Sequence, residues 1–189
     1  MRVISGEFRG RKLFAVPGKN TRPTSDKVKE SIFNRVGPFF EGGTCLDLYA
    51  GSGALAIEAV SRGMGKAVLV EKQRAAVQTI RRNVDSLKAD NRFEIKQATS
   101  TSMLEELKNS SQTFDLVFLD PPYAEQEIER DILKLLDYKL LSDESMIVCE
   151  TDKQTQLDER IGKAVLWKDH RYGSSRIRIY ILDTGGNDE

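Results

Sequence analysis

The chain of 189 residues is 39% hydrophobic and 31% charged, and its 29 basic side chains balance its 29 acidic ones. This composition is typical of one water-soluble domain and excludes a protein that attracts nucleic acid through its overall charge. Two cysteines and one histidine exclude a disulfide framework and most metal sites, and no apolar run approaches the roughly 20 residues of a membrane span. We expect a monomeric, cytoplasmic protein that holds no metal and contacts no membrane.

Residues 1–40 form a basic N-terminal segment. The pattern predicts a hairpin of two short strands around Gly6 and Gly10, and then a helix over about Asp26–Val36. In residues 1–35, nine basic side chains stand against three acidic ones, which gives a local net charge of +6. Such a segment suggests phosphate binding, with a solvated surface as the alternative. The predicted RNA contacts are Arg2, Arg9, Arg11, Lys12 and Lys19.

Strands and helices alternate from residue 44 to about residue 161, which predicts a mostly parallel sheet with helices on both faces. The predicted strands are 44–49, 66–71, 93–97, 114–119 and 145–150. The predicted helices are 54–62, 73–88, 102–109, 125–136 and 154–161. Two further strands, 164–168 and 176–182, read as a closing antiparallel pair. The main domain is therefore expected over 41–184, with an acidic, frayed tail at 185–189.

A glycine-rich turn follows the first of these strands. Gly51, Gly53 and Ala56 satisfy the pattern G-x-G-x-x-[GA], and Glu71 ends the next strand 20 residues after Gly51. This spacing indicates a nucleotide site, because the glycines permit close backbone approach and the carboxylate can bind ribose hydroxyls. Asp47 in the first strand would repel a pyrophosphate but would favour a cofactor with a sulfonium and an amino group. The pattern therefore points to S-adenosylmethionine.

A second motif follows the fourth predicted strand, which runs directly into Asp120-Pro121-Pro122-Tyr123. Ligands of open α/β sheets bind at the carboxyl ends of the strands, and the two prolines make this loop rigid. Asp120 and the Pro121 carbonyl can accept both N–H bonds of an exocyclic amine, and Tyr123 can stack on its base. The alternative is a strand-ending turn capped by Asp.

With these motifs the chain resembles the RsmD-type methyltransferases, which methylate the N2 amine of a guanine in small-subunit ribosomal RNA. The resemblance covers nearly the whole chain, and its stretches are RVISGEFRGRKL, TRPTSDKVKESIFN, LDLYAGSGALAIEA, FDLVFLDPPY and RYGSSRIRIY. It implies a Rossmann-like class I methyltransferase. The expected sheet is mostly parallel and seven-stranded, with a reversed last strand and a basic hairpin-helix extension that meets the RNA or a small-subunit assembly particle.

The resemblance also implies roles for particular residues. Asp120, Pro121, Pro122 and Tyr123 would hold the target amine. The cofactor would contact Asp47, Tyr49, Ala50, Gly51, Gly53, Glu71, Lys72, Thr99 and Ser100. Thr99 stands where such enzymes usually carry an Asp that accepts a hydrogen bond from the adenine amine of the cofactor. Arg22 and Thr24 suggest a loop folded over the cofactor or target, and a plain entry to the helix is the alternative.

Three other functions fit parts of the pattern. A DNA adenine or cytosine methyltransferase uses the same loop chemistry, but the short chain leaves no separate target-recognition domain. An NAD-dependent oxidoreductase would share the glycine pattern and leave the Asp-Pro-Pro-Tyr loop unexplained. A non-catalytic RNA-binding module would not need Glu71 and Asp120 together.

Overall fold

The computed structural model describes residues 1–18 and 24–186. Within these residues the α-helices are α1 (Asp26–Val36), α2 (Ala54–Ser61), α3 (Arg74–Leu87), α4 (Ser100–Leu107) and α5 (Ile128–Asp137). The strands are β1 (Thr44–Asp47), β2 (Lys66–Glu71), β3 (Phe93–Gln97), β4 (Phe114–Leu119), β5 (Leu141–Asp152), β6 (Arg160–Ile161), β7 (Ala164–Tyr172) and β8 (Ser175–Leu182). Short 3-10 turns cover Asp90–Arg92 and Tyr123–Glu125.

All eight strands belong to one sheet in the order β3-β2-β1-β4-β5-β8-β7-β6. Strands β1 to β5 pair in parallel, whereas β8 pairs antiparallel with β5 and β7 antiparallel with β8. The predicted parallel sheet with a reversed strand is confirmed, and β3 lies at one edge of it. The chain changes direction across the sheet at β1, whose neighbours are β2 and β4. Ligands of open α/β sheets bind in the crevice at such a switch point.

The helix predicted over residues 154–161 is wrong. The Asp152 carboxylate accepts hydrogen bonds from the backbone N–H groups of Gln154 and Thr155 at 2.9 and 2.7 Å. The buried Arg178 guanidinium donates to the Thr155 carbonyl at 2.6 Å. These side chains satisfy backbone groups that a helix would have paired with its own turns, so the chain turns instead. It then forms the short β6, which raises the expected seven strands to eight.

The basic N-terminal segment is a hairpin-shaped turn with one antiparallel bridge, between Arg2 and Lys12, in place of two regular strands. Val3, Phe8 and Leu13 are buried in the same core as α1, α2 and α3. Two polar side chains of α2 bind the backbone of the N-terminal segment. The Glu58 carboxylate accepts a hydrogen bond from the Ile4 N–H, and the Ser61 hydroxyl accepts one from the Phe8 N–H. The segment is therefore packed against the helices that flank the sheet.

The sheet is covered on both faces. Helices α1, α2 and α3 cover one face, where the Phe33 and Phe118 rings meet edge to face with centroids 6.0 Å apart. Helices α4 and α5 cover the other face and bury residues such as Leu104 and Ile132 against the sheet. Across residues 1–18 and 24–186, no helix is long and apolar enough to cross a membrane.

Candidate active site

Acidic side chains from four adjacent strands meet at the carboxyl edge of the sheet. Glu71 ends β2, Asp47 ends β1, Asp120 follows β4 and Glu150 lies near the end of β5. The β1–β4 register aligns Asp47 with Phe118, and the β4–β5 register aligns Leu119 with Cys149. Asp120 and Glu150 therefore occupy matching positions on neighbouring strands. Glu150 is not among the predicted site residues, although its place at the end of the apolar run Met-Ile-Val-Cys is a signal in the sequence.

The glycine-rich turn between β1 and α2 is held against β2. The Gly51 N–H donates to one oxygen of the Glu71 carboxylate at 2.9 Å, and the Gln73 N–H donates to the other at 3.0 Å. Gly53 has φ +85°, and a Cβ there would lie 3.2 Å from a Leu69 methyl. Gly51 has φ +57°, and a Cβ there would meet only open space. Both residues have a positive φ, which glycine adopts without strain. The space beside Gly51 forms an open cradle next to the Glu71 carboxylate.

Asp47 is 1% exposed and lies beneath this turn. Its carboxylate accepts a hydrogen bond from the Tyr49 N–H at 3.3 Å. Burial raises the pKa of Asp47 from 3.8 to about 7, and the nearby charge of Glu71 adds to the shift. The site therefore holds a poorly solvated carboxyl that a cationic group would stabilise in its ionised form.

The Asp-Pro-Pro-Tyr loop leaves the sheet beside this carboxyl. Pro121 is buried, whereas Pro122 and Tyr123 are exposed, and 42% of Tyr123 is accessible to solvent. The carboxyls of Asp120 and Glu150 are hydrogen-bonded to each other. Burial, then the charges of Glu150 and Asp47, raise the pKa of Asp120 well above its usual range. An accessible ring thus stands next to a carboxyl whose pKa is raised by burial and by two neighbouring acids.

Several of the predicted cofactor residues have protein partners at the margin of this edge. The Tyr49 hydroxyl bonds to the buried Asp131 carboxylate at 2.5 Å and to the Ser100 hydroxyl at 3.0 Å, which links the turn after β1 to α5 and α4. The Thr99 hydroxyl accepts from the Ser102 N–H at 3.1 Å and so caps α4. This cap explains why α4 begins two residues earlier than predicted.

Lys72 and Glu125 form an ion pair at 2.7 Å. Lys72 directly follows β2, and Glu125 closes the 3-10 turn that begins at Tyr123. Since β1 separates β2 from β4 in the sheet, the pair connects the loops on either side of the glycine turn. Ala50 in the glycine turn is buried, and its N–H donates to the Val70 carbonyl of β2 at 2.9 Å.

The predicted RNA-binding residues share the surface of the N-terminal segment. Arg9 and Lys12 are exposed, Arg2 pairs with Asp26 at 3.2 Å, and Arg11 donates to the Ser86 carbonyl at 3.3 Å. Lys19 and Arg22 lie outside the described residues. Thr24 is half-buried and comes two residues before α1.

Helix α3 continues this basic surface with Arg82, which is not among the predicted RNA contacts. The Arg82 guanidinium lies 3.5 Å from the centroid of the exposed Phe14 ring. Asn83 joins Phe14 to the glycine turn, because its side chain bonds both the N–H and the carbonyl of Phe14 and also the Ser52 carbonyl. The segment therefore lies directly beside the glycine turn.

The sheet order, the reversed strand and the motifs at the carboxyl edge define a Rossmann-like class I methyltransferase fold. Residues 1–181 match the family described as "Conserved hypothetical protein 95". The chain is 33% identical over 189 residues to "Ribosomal RNA small subunit methyltransferase D" of Escherichia coli, an alignment that covers all of this chain and 93% of that protein. The chain therefore belongs to the RsmD-type methyltransferase family.

Two solved structures show the same fold. A conserved hypothetical protein from Streptococcus pyogenes is 46% identical, with a TM-score of 0.79 over 85% of this chain and 98% of that one. The Thermus hypothetical protein TTHA0928 is 26% identical, with a TM-score of 0.82 over 96% of this chain and 99% of that one. The likeness extends over nearly the full length of both structures.

Proposed function

We propose that the protein transfers a methyl group from S-adenosylmethionine to the exocyclic N2 amine of a guanine in small-subunit ribosomal RNA. The observation that carries this proposal is the placement of Asp120 and Tyr123 directly beside the glycine turn and Asp47. An amine-binding loop and a nucleotide-binding turn then open on the same crevice. The name of the Escherichia coli relative supports ribosomal RNA as the substrate class.

The residues at the carboxyl edge fit S-adenosylmethionine. The open cradle at Gly51 admits a ligand close to the backbone, and Glu71 beside it offers acceptor oxygens for ribose hydroxyls. Asp47 provides negative charge for the cationic part of the cofactor. Gly53, Ala50, Tyr49, Lys72, Thr99 and Ser100 would line the remaining cofactor surface, with Arg22 and Thr24 in the covering loop. When bound, this cofactor supplies an electrophilic methyl group.

The Asp-Pro-Pro-Tyr loop would position the target amine. An amine attached to a purine is a poor nucleophile because its lone pair is delocalised into the ring. Asp120 and the Pro121 carbonyl would accept its two N–H bonds and so turn the lone pair outward, while Pro122 holds the loop rigid. The accessible Tyr123 ring would stack on a base lifted out of its RNA context.

Residues 1–40 would act as the RNA-facing extension of a catalytic domain that spans 41–184, with a tail at 185–189. The charges of Arg2, Arg9, Arg11, Lys12 and Lys19 would bind phosphates without reading sequence. The substrate would be ribosomal RNA or a small-subunit assembly particle, met in the cytoplasm by a monomer of this protein.

Two measurements test the proposal. Calorimetric titration of S-adenosylmethionine against NAD separates a methyltransferase from an oxidoreductase, and we expect binding of S-adenosylmethionine alone. Mapping methylated nucleotides in ribosomal RNA from cells with and without the gene should then show the loss of one N2-methylguanine. Methylation of DNA with ribosomal RNA unchanged would instead support the DNA amino-methyltransferase.

A further inference from the structure

We propose that Glu150 is a positioning residue that acts through Asp120, by sharing one proton with it and by receiving that proton when the target amine is methylated. This inference rests on the proposed function and adds a second residue to the handling of the amine. Neither the family motifs nor the sequence pattern assigns a role to Glu150.

The sheet itself brings the two carboxyls together. Leu119 pairs with Cys149 in the parallel β4–β5 ladder, so Asp120 stands opposite Glu150 on the same face. Phe118 and Val148, two residues earlier on each strand, both point into the core on that face. A pair at matching positions of two central strands has little freedom to separate.

The surroundings of the pair favour one shared proton. The carboxyls are hydrogen-bonded to each other, and burial is the main cause that raises the pKa of both. One Glu150 oxygen, Oε2, is buried and receives no hydrogen bond from an N–H or hydroxyl donor within residues 1–18 and 24–186. The other acid acting on Asp120 is Asp47 on β1, and its ionised form raises the pKa of Asp120 further. Two neighbouring carboxylates that are poorly solvated cannot both ionise, so one proton stays between them.

This arrangement gives the pair two tasks. A protonated Asp120 donates to Glu150 and keeps its other oxygen free to accept an N–H of the target amine. In the transfer step the N–C bond forms as the methyl–sulfur bond breaks, which leaves a cationic nitrogen and a neutral thioether. The nitrogen then releases one proton to the free oxygen of Asp120 while the original Asp120 proton moves to Glu150. Asp120 stays neutral throughout, and the negative charge of Glu150 is neutralised.

Glu150→Gln tests the relay because it preserves the size of the side chain and its hydrogen bonding but accepts no proton. We expect the single-turnover rate to fall by about 100- to 1,000-fold, the range typical of a lost proton-transfer partner. The affinities for RNA and S-adenosylmethionine should stay within about twofold, because the proposed role of Glu150 is exerted through Asp120 during the transfer step. Glu150→Asp should recover part of the rate.

The matched control is Asp152→Asn, on the same strand and the same face two residues further on. The Asp152 carboxylate bonds only its own turn, at Gln154 and Thr155, among the described residues. This variant should keep the wild-type rate. A Glu150→Gln rate within twofold of wild type would overturn the relay.

A second readout needs neither cofactor nor RNA. Carbon-13 NMR of labelled carboxyls should show Asp120 titrating well above the usual range in the wild type and at lower pH in Glu150→Gln, where the neighbouring charge is gone. An Asp120 titration that is unchanged in Glu150→Gln would refute the shared proton. Because this measurement is independent of the target nucleotide, it decides the pairing even if the proposed guanine substrate is wrong.

Discussion

The Glu71 carboxylate accepts a hydrogen bond from the Gly51 N–H at 2.9 Å. Glu71, at the end of β2, thus directly holds the glycine turn that follows β1. The same carboxylate receives the Gln73 N–H at the start of α3. Glu71 therefore joins the two strands that form one side of the proposed cofactor site. A ligand that bonded to this carboxylate would meet a group whose position is already fixed by two backbone contacts.

We expect Glu71→Ala to weaken S-adenosylmethionine binding by about 10- to 100-fold, since charge-assisted hydrogen bonds contribute about 1.5–3 kcal/mol. Calorimetry measures the affinity, and circular dichroism checks that the fold survives. Glu71→Gln keeps an acceptor oxygen and should lose less. Wild-type affinity in the Ala variant would remove Glu71 from the cofactor site.

Reversing the charges of Arg9, Arg11 and Lys12 should raise the apparent KM for RNA and flatten its dependence on salt. The reason is that each phosphate contact releases counterions, whereas cofactor binding does not involve this surface. The matched control reverses the charges of Lys139 and Lys163. These residues precede β5 and β7 and so lie at the amino ends of the strands, away from the carboxyl edge that holds the proposed site. If the two sets of variants behave alike, the N-terminal charges form only a solvated surface.

Asp47→Asn should change how stability depends on pH. In the wild type the unfolded carboxyl ionises from pH 3.8 upward, while the folded one keeps its proton until about pH 7. The free energy of unfolding is therefore reduced progressively between these values, by about 1.4 kcal/mol per pH unit. Asn carries no such penalty and can still accept the Tyr49 N–H.

Urea unfolding at about pH 4.5 and pH 8 measures this difference. We expect the two proteins to have similar stabilities at the lower pH. At the higher pH the Asn variant should be more stable by roughly 2–4 kcal/mol. Parallel stability curves would show that Asp47 is not perturbed by burial.

Asp120→Ala should abolish methyl transfer and leave S-adenosylmethionine affinity within a few-fold, because this carboxyl positions the target amine. Asp120→Asn is the more informative variant, since its amide oxygen still accepts one N–H bond. If positioning dominates, Asn should retain activity about 100- to 1,000-fold below wild type. If proton transfer dominates, Asn should be as inactive as Ala. Single-turnover rates at saturating cofactor distinguish these results, and near-normal turnover in Ala would refute the assignment of the loop.

The sequence by itself determined the parallel sheet and the position of its motifs. Apolar runs such as 66–71 and 114–119 form strands at the predicted residues, because burial on both faces selects continuous hydrophobic stretches. Helix α1 also matches its prediction, since Ser25 caps it with a local hydrogen bond to the Val28 N–H. Local signals of this kind need no knowledge of distant residues.

Only the tertiary structure decided which polar groups from distant parts of the chain form hydrogen bonds with one another. Arg178 and Asp152 turn residues 153–159 away from the helix that the local pattern favoured, and the partners lie on different strands. The pairing of Asp120 with Glu150 depends on the register between β4 and β5, which periodicity within either strand cannot give. The raised pKa of Asp47 likewise arises from its burial in the folded chain and from the charge of Glu71 on the neighbouring strand. Spacing along the chain identifies candidate groups, whereas their protonation depends on neighbours that the fold assembles from separate strands.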